Sequence, residues 1–115
     1  MRRGLAYVAA GLLVLALGAA ATSAALDKRA SKTVQVGDDF FNPDKLNVSK
    51  GTKVKFKWVG SDQHNVVKKS GPGGDFGSSI TDERGVNLTH KFSKSGTYKL
   101  ICTIHEQMKM KVSVN

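Results

Sequence analysis

The run Lys53-Val54-Lys55-Phe56-Lys57-Trp58-Val59 leaves this chain little choice of architecture. Val54, Phe56 and Trp58 share one face of an extended segment, and Lys53, Lys55 and Lys57 share the other. A period of two with β-branched and aromatic residues on one side is the pattern of a half-buried strand in an antiparallel sheet. The lysine row reads as a solvated face that keeps such a sheet soluble. Shorter segments repeat the pattern at Thr33–Val36, Leu46–Val48, His64–Val67, Val86–Phe92, Thr97–Cys102 and Met110–Val114. Between them stand turn-forming clusters: Gly37-Asp38-Asp39, Asn42-Pro43, Ser49-Lys50-Gly51, the loop from Ser70 to Asp75, and Ser93 to Gly96. Phe40-Phe41 precedes a turn, and both rings are expected in the core. No helical periodicity follows the first 25 residues. The pattern predicts an all-β fold, a Greek-key β-sandwich of about seven or eight strands.

The N-terminus reads differently. Met1-Arg2-Arg3 is charged, Leu5 to Leu17 is apolar without a charge, and Gly18 to Ala25 is a small-residue tail. That order is a secretory signal with cleavage near residue 25. An uncleaved anchor helix is the competing reading, since the apolar run plus the alanines could span a bilayer. The expected organisation is a signal peptide over 1–25, a polar tether over 26–32 and one domain over 33–115. The domain is then exported, periplasmic or extracellular, with a membrane contact only if the leader is retained.

Export into an oxidising compartment makes the single cysteine, Cys102, informative. It has no internal partner for a disulfide, so it serves as an intermolecular link, a reactive thiol or a metal ligand. The formal charge is +9, and losing Arg2 and Arg3 with the leader takes it to +7. A basic surface favours acidic partners. Nucleic acid is a poor fit for an exported chain whose lysines are scattered without an arginine cluster.

Cys102 opens the densest donor segment of the chain, Cys102-Thr103-Ile104-His105-Glu106-Gln107-Met108-Lys109-Met110. Cys102 ends a strand facing inward, and His105 and Met108 follow at spacings of three. A tight loop leaving a strand can turn all three to one point, and His64, at the start of another strand, can supply the missing donor. Two imidazoles and a thiolate with a weak axial thioether form the blue-copper electron-transfer set. His90 sits in mid-strand with no soft neighbour and reads as structural.

The segment Gly96-Thr97-Tyr98 with Cys102-Thr103-Ile104-His105-Glu106-Gln107-Met108 resembles the copper loop of the plastocyanin and amicyanin branch of the cupredoxins. His64-Asn65-Val66 is similar to that family's first ligand with its following asparagine. Phe41-Asn42-Pro43, Leu46, Gly51-Thr52 and Phe56-Lys57-Trp58 match its strand pattern. The resemblance implies one type 1 copper per domain, with His64, Cys102 and His105 as equatorial ligands. It implies an Asn65–Thr103 hydrogen bond between the two ligand segments and an electron port at the edge of His105. The axial ligand is Met108 if the loop is the shorter, amicyanin-like one, and Met110 if it is the longer. The distance from Cys102 to the closing strand matches the shorter, and strand phase places Met110 with Val112 and Val114 in the core. Where many relatives carry prolines around the loop histidine, Ile104 and Glu106 stand here.

The function so implied is a monomeric shuttle of single electrons between redox proteins, which dock near His105 and carry acidic surfaces. Copper storage, delivery or sensing is the alternative. Zinc could use the Cys102–His105 pair but has no need of a thioether. Catalysis by Cys102 with His105 as base lacks a legible third residue and an enclosed pocket, so an enzyme is not expected.

Overall fold

The structure, a computed structural model, describes residues 31–115. The expected leader lies outside the described residues, as does the tether up to residue 30. Eight strands follow in order: β1 (Ser31–Gly37), β2 (Phe40–Asn42), β3 (Lys45–Val48), β4 (Thr52–Trp58), β5 (Val67–Ser70), β6 (Gly85–Phe92), β7 (Gly96–Cys102) and β8 (His105–Val114). They form two four-stranded sheets, β2-β1-β4-β6 and β3-β8-β7-β5. The chain changes sheet at β3, β4, β5, β6 and β7, which is how a Greek-key sandwich closes.

The alternation in β4 resolves as expected. Thr52, Val54, Phe56 and Trp58 are buried, and the three lysines between them are exposed. Phe56 is completely buried and meets Val34, Val36, Val54, Phe92, Leu100 and Val112 in one core cluster. One turn feature depends on glycine: Gly51, at φ 94°, lets the chain reverse between β3 and β4.

Four details differ from the sequence reading. β4 is antiparallel only to β6; its other neighbour, β1, runs parallel, with Val36 opposite Trp58. Phe40-Phe41-Asn42 forms a short strand rather than a turn, and it splits its rings: Phe41 is in the core, whereas Phe40 is 47% exposed. A period of two dictates that split, because neighbouring residues of a strand face opposite ways. His64 belongs to no strand; it is held by an isolated bridge to Thr81, and β5 starts at Val67. The last strand begins at His105 rather than Met110, so the expected donor loop shrinks to the turn Thr103-Ile104.

The glycine-rich stretch after β5 is tied down from beneath. Lys68 is buried on β5, and its ammonium donates to the carbonyl oxygens of Pro72, Gly73 and Gly74 at 2.8, 2.8 and 3.1 Å. Three acceptors satisfy the three donors of the buried charge, which is the condition for tolerating it.

Candidate metal centre

The Cys102–His105 half of the site is a hairpin end. Cys102 closes β7, His105 opens β8, and the two residues face each other directly across the turn Thr103-Ile104. The register then slips: Ile101 pairs with Lys109, so Glu106, Gln107 and Met108 have no counterpart on β7. Sγ of Cys102 stands 3.4 Å from Nδ1 of His105. Cys102 is 3% exposed, and the His105 side chain 24%.

His64 approaches from the segment between β4 and β5. β4 delivers the chain to its last residue, Trp58, whose indole N–H donates to the backbone oxygens of Thr81 at 3.0 Å and His64 at 3.3 Å. His64 and Thr81 exchange two backbone hydrogen bonds, each 3.0 Å. The His64 side chain is fully buried, and its Nδ1 lies 3.2 Å from Nδ1 of His105. The two nitrogens and the sulfur lie within 4.8 Å of one another.

Asp38 decides which nitrogen of His64 faces that centre. The parallel pairing of Val36 with Trp58 carries Asp38 alongside Gly60, two residues on in each chain. Its carboxylate accepts from the backbone N–H groups of Ser61 and Asp62 at 3.0 and 2.9 Å, and from His64 Nε2 at 3.0 Å. A carboxylate only accepts, so Nε2 carries the proton and the Nδ1 lone pair points at Cys102 and His105. The hydrogen bond to His64, followed by those from the two backbone amides, holds the Asp38 carboxyl far below the usual carboxylate range. A side chain at position 60 would collide with it, since a Cβ there would sit 2.1 Å from the Asp38 carboxylate oxygen. Asp39, at φ 72°, places a carboxylate oxygen 3.7 Å from Nε2 of His105. The sequence reading treated this acid pair as a strand stop only.

Asn65 joins the two halves. Its side-chain oxygen accepts from the Thr103 backbone N–H at 2.8 Å, and its amide donates to the Thr103 hydroxyl at 3.0 Å. Met108 is fully buried within the register slip. Met110 is also buried, directly opposite Leu100. Strand phase therefore does not separate the two methionines, because both share the buried face with Val112 and Val114. Register does separate them. Met108 is in the bulge that opens at Cys102 and His105, and Met110 is two pairs of residues into the core. His90 stands apart, stacked on Phe76 with ring centroids 3.5 Å apart. Burial first, and then the Lys68 charge, lower its pKa below the ordinary 6.5.

A thiolate and two imidazoles brought together, with a thioether beside them, is the donor chemistry of type 1 copper. The model of the Cupredoxin-like domain matches residues 8–114. The chain belongs to the cupredoxin-like family. Plastocyanin from Dryopteris crassirhizoma is 33% identical over 95 residues, spanning 68% of this chain and 92% of that protein. The reduced, copper(I) form of an amicyanin variant superposes with a TM-score of 0.65 at 23% identity, over 74% of this chain and 82% of the other. A purple cupredoxin from Nitrosopumilus maritimus gives a TM-score of 0.63 at 23% identity, over 73% of this chain and 99% of the other. At that identity the solved structures share the fold. Within this cupredoxin, the sandwich places the three donors at one end.

Proposed function

We propose that this cupredoxin binds one copper ion through Nδ1 of His64, Sγ of Cys102 and Nδ1 of His105, with Met108 as the weak axial donor. It then carries single electrons between exported redox proteins. The observation that carries this reading is the convergence of the three donor atoms within 4.8 Å. Copper, when bound, supplies the one-electron couple. The chain's residues supply a fixed frame for it. Asp38 holds His64 in the tautomer that leaves Nδ1 free, Asn65 ties Thr103 to the His64 segment, and the thiol of Cys102 gives up its proton on binding. A frame that does not move between oxidation states keeps the cost of each electron transfer low.

The edge of His105 is the natural exit for an electron, because it is the exposed donor of the three. Exposed apolar residues stand next in sequence to residues of the site. Ile104 precedes His105, Phe40 follows Asp39, and Ile80 precedes the Thr81 that bridges His64; the three are 46–47% exposed. This rim supports docking of a redox partner at His105 even without the family's prolines. A carrier rather than an enzyme is favoured because Cys102, at 3% exposed, is out of reach of a substrate.

The test is addition of copper(II) to the purified protein. An intense blue thiolate-to-copper band is expected, absent in Cys102→Ser, and shifted by Met108→Leu but not by Met110→Leu. A wild type without the band, or a band that survives Cys102→Ser, ends the reading. Rapid loss of bound copper to a mild chelator, with poor reversibility on reduction and reoxidation, points instead to copper delivery.

A further inference from the structure

The outward face of the β3-β8-β7-β5 sheet is a lysine face with no neutralising partner. Cross-strand register brings Lys45 of β3 opposite Lys111 of β8, and Lys111 opposite Lys99 of β7. Lys109 stands two residues from Lys111 on the same face, opposite Ile101, and Lys69 of β5 joins at the edge. All five lysines are exposed. Like charges directly opposite one another on a sheet are destabilising. The ion pairs among the described residues are the two aspartate–histidine contacts at the metal end, so none relieves these lysines. Asp44 and Glu106 lie at the margins of the face without pairing to it.

The other sheet has one such pair, Lys53 of β4 opposite Lys91 of β6. Lys55 of β4 lies between Thr33 and Thr89, and Lys57 between Gln35 and Val86. Neutral neighbours separate Lys55 and Lys57 from any lysine across the strands, so this sheet stops at one lysine pair where the first face links two through Lys111.

The first face is also concave. Its lysines border an open groove of about 480 Å³ whose floor includes Leu100, Ile101 and Met110. A second hollow of about 430 Å³, lined by Lys69, Lys109, Ile101 and Glu106, reaches Cys102 and Thr103. The lysine face therefore runs up to the backbone of the thiolate donor.

We propose that this face is a docking surface for an acidic protein, whose carboxylates the five lysines receive and whose redox group it brings to the Cys102 side of the metal centre. Charge complementarity names the partner class. The groove lining contains no arginine or aromatic ring on which nucleic-acid bases could stack. Its one outward apolar side chain, Ile101, is only partly exposed, which gives a bilayer little to anchor. Continuity with Cys102 is what an electron-transfer partner needs and a membrane surface does not. The redox half of this proposal rests on the copper shuttle; the docking half does not.

The test is amide chemical-shift mapping of the protein titrated with a poly-glutamate peptide, beside two variants of equal charge. Shifts are expected at Lys45, Lys69, Lys99 to Cys102 and Lys109 to Lys111. The double variant Lys99→Glu/Lys109→Glu is expected to weaken binding about tenfold, against about twofold or less for Lys55→Glu/Lys57→Glu. Equal weakening by both would reduce the effect to net charge and overturn the proposal. So would shifts spread over both sheets, or tighter protection of this face by phosphatidylglycerol vesicles than by the peptide. The blue band of Lys99→Glu/Lys109→Glu keeps the two readings separate. An unchanged band with unchanged peptide affinity sinks the docking face and leaves the copper site standing.

Discussion

His64 and His105 present the same atom to the same point, yet they are held in opposite ways. His64 is fully enclosed, its backbone bonded to Thr81, its carbonyl receiving Trp58 and its outer nitrogen bonded to Asp38. His105 stands at a hairpin end, 24% exposed, with only the more distant Asp39 near its outer nitrogen. The difference assigns two tasks. The His64 side fixes where the metal can sit, because every group around it is already committed to a partner. In the proposed copper site the His105 side is the one that reaches the outside, because its imidazole is the partly exposed one.

The largest effect should come from removing each imidazole in turn. His64→Gly deletes a buried ring and strands the Asp38 carboxylate contact, at a cost of about 3 kcal/mol or more in stability. His105→Gly should cost much less and open a hole reachable from solvent. Added imidazole should then restore a blue band to copper-loaded His105→Gly and not to His64→Gly, as read by absorption spectroscopy. Equal rescue of both would erase the distinction.

A middle-sized effect is expected where the halves meet. Asn65→Ala leaves the Thr103 backbone N–H without its acceptor, at a cost of about 1–2 kcal/mol. The loss should fall on the hairpin side, visible as faster amide exchange at Thr103 and Ile104 with Thr81 unchanged. Faster exchange at Thr81 as well would mean that Asn65 supports both halves alike.

The smallest effect lies outside the site and measures the frame alone. His90 titrates below its ordinary 6.5 in the folded protein, so the unfolded chain binds the proton more readily there. Stability should therefore be fully present above about pH 6.5 and decline as pH falls below it. Lys68 acts on His90 by its charge, and Lys91 and Lys94 line the hollow beside it. His90→Phe, which preserves the stack on Phe76, should flatten the slope between pH 7 and 5 in metal-free protein. An unchanged slope would show that His90 does not carry the pH dependence.

The legible part of the fold was the part written in alternation. β4, β6 and β7 stand within one residue of where period two places them; β4 and β7 each have a buried face, and β6 turns Leu88, His90 and Phe92 the same way. β2 was not legible, since three residues before a proline carry too little pattern to outweigh a turn signal. The start of β8 was hidden for a different reason. His105-Glu106-Gln107 is polar on both faces, and of the three only His105 has a partner on β7. Of the site, His64, Cys102 and His105 could be brought together from donor chemistry and resemblance. Asp38 could not, because its position depends on β1 running parallel to β4, and a strand segment does not announce the direction of its neighbour. Lys68 was equally hidden: a lysine at an inward strand position contradicts period two unless the loop carbonyls that receive it are known.

The span of the site along the chain has a further consequence. Asp38 follows the first strand, and Met108 lies in the last. Almost the whole domain must close before the donors meet. A chain with its first strand undocked lacks the carboxylate that orients His64. Metal uptake thus waits on the finished fold, so the fraction of metallated molecules counts those that have closed.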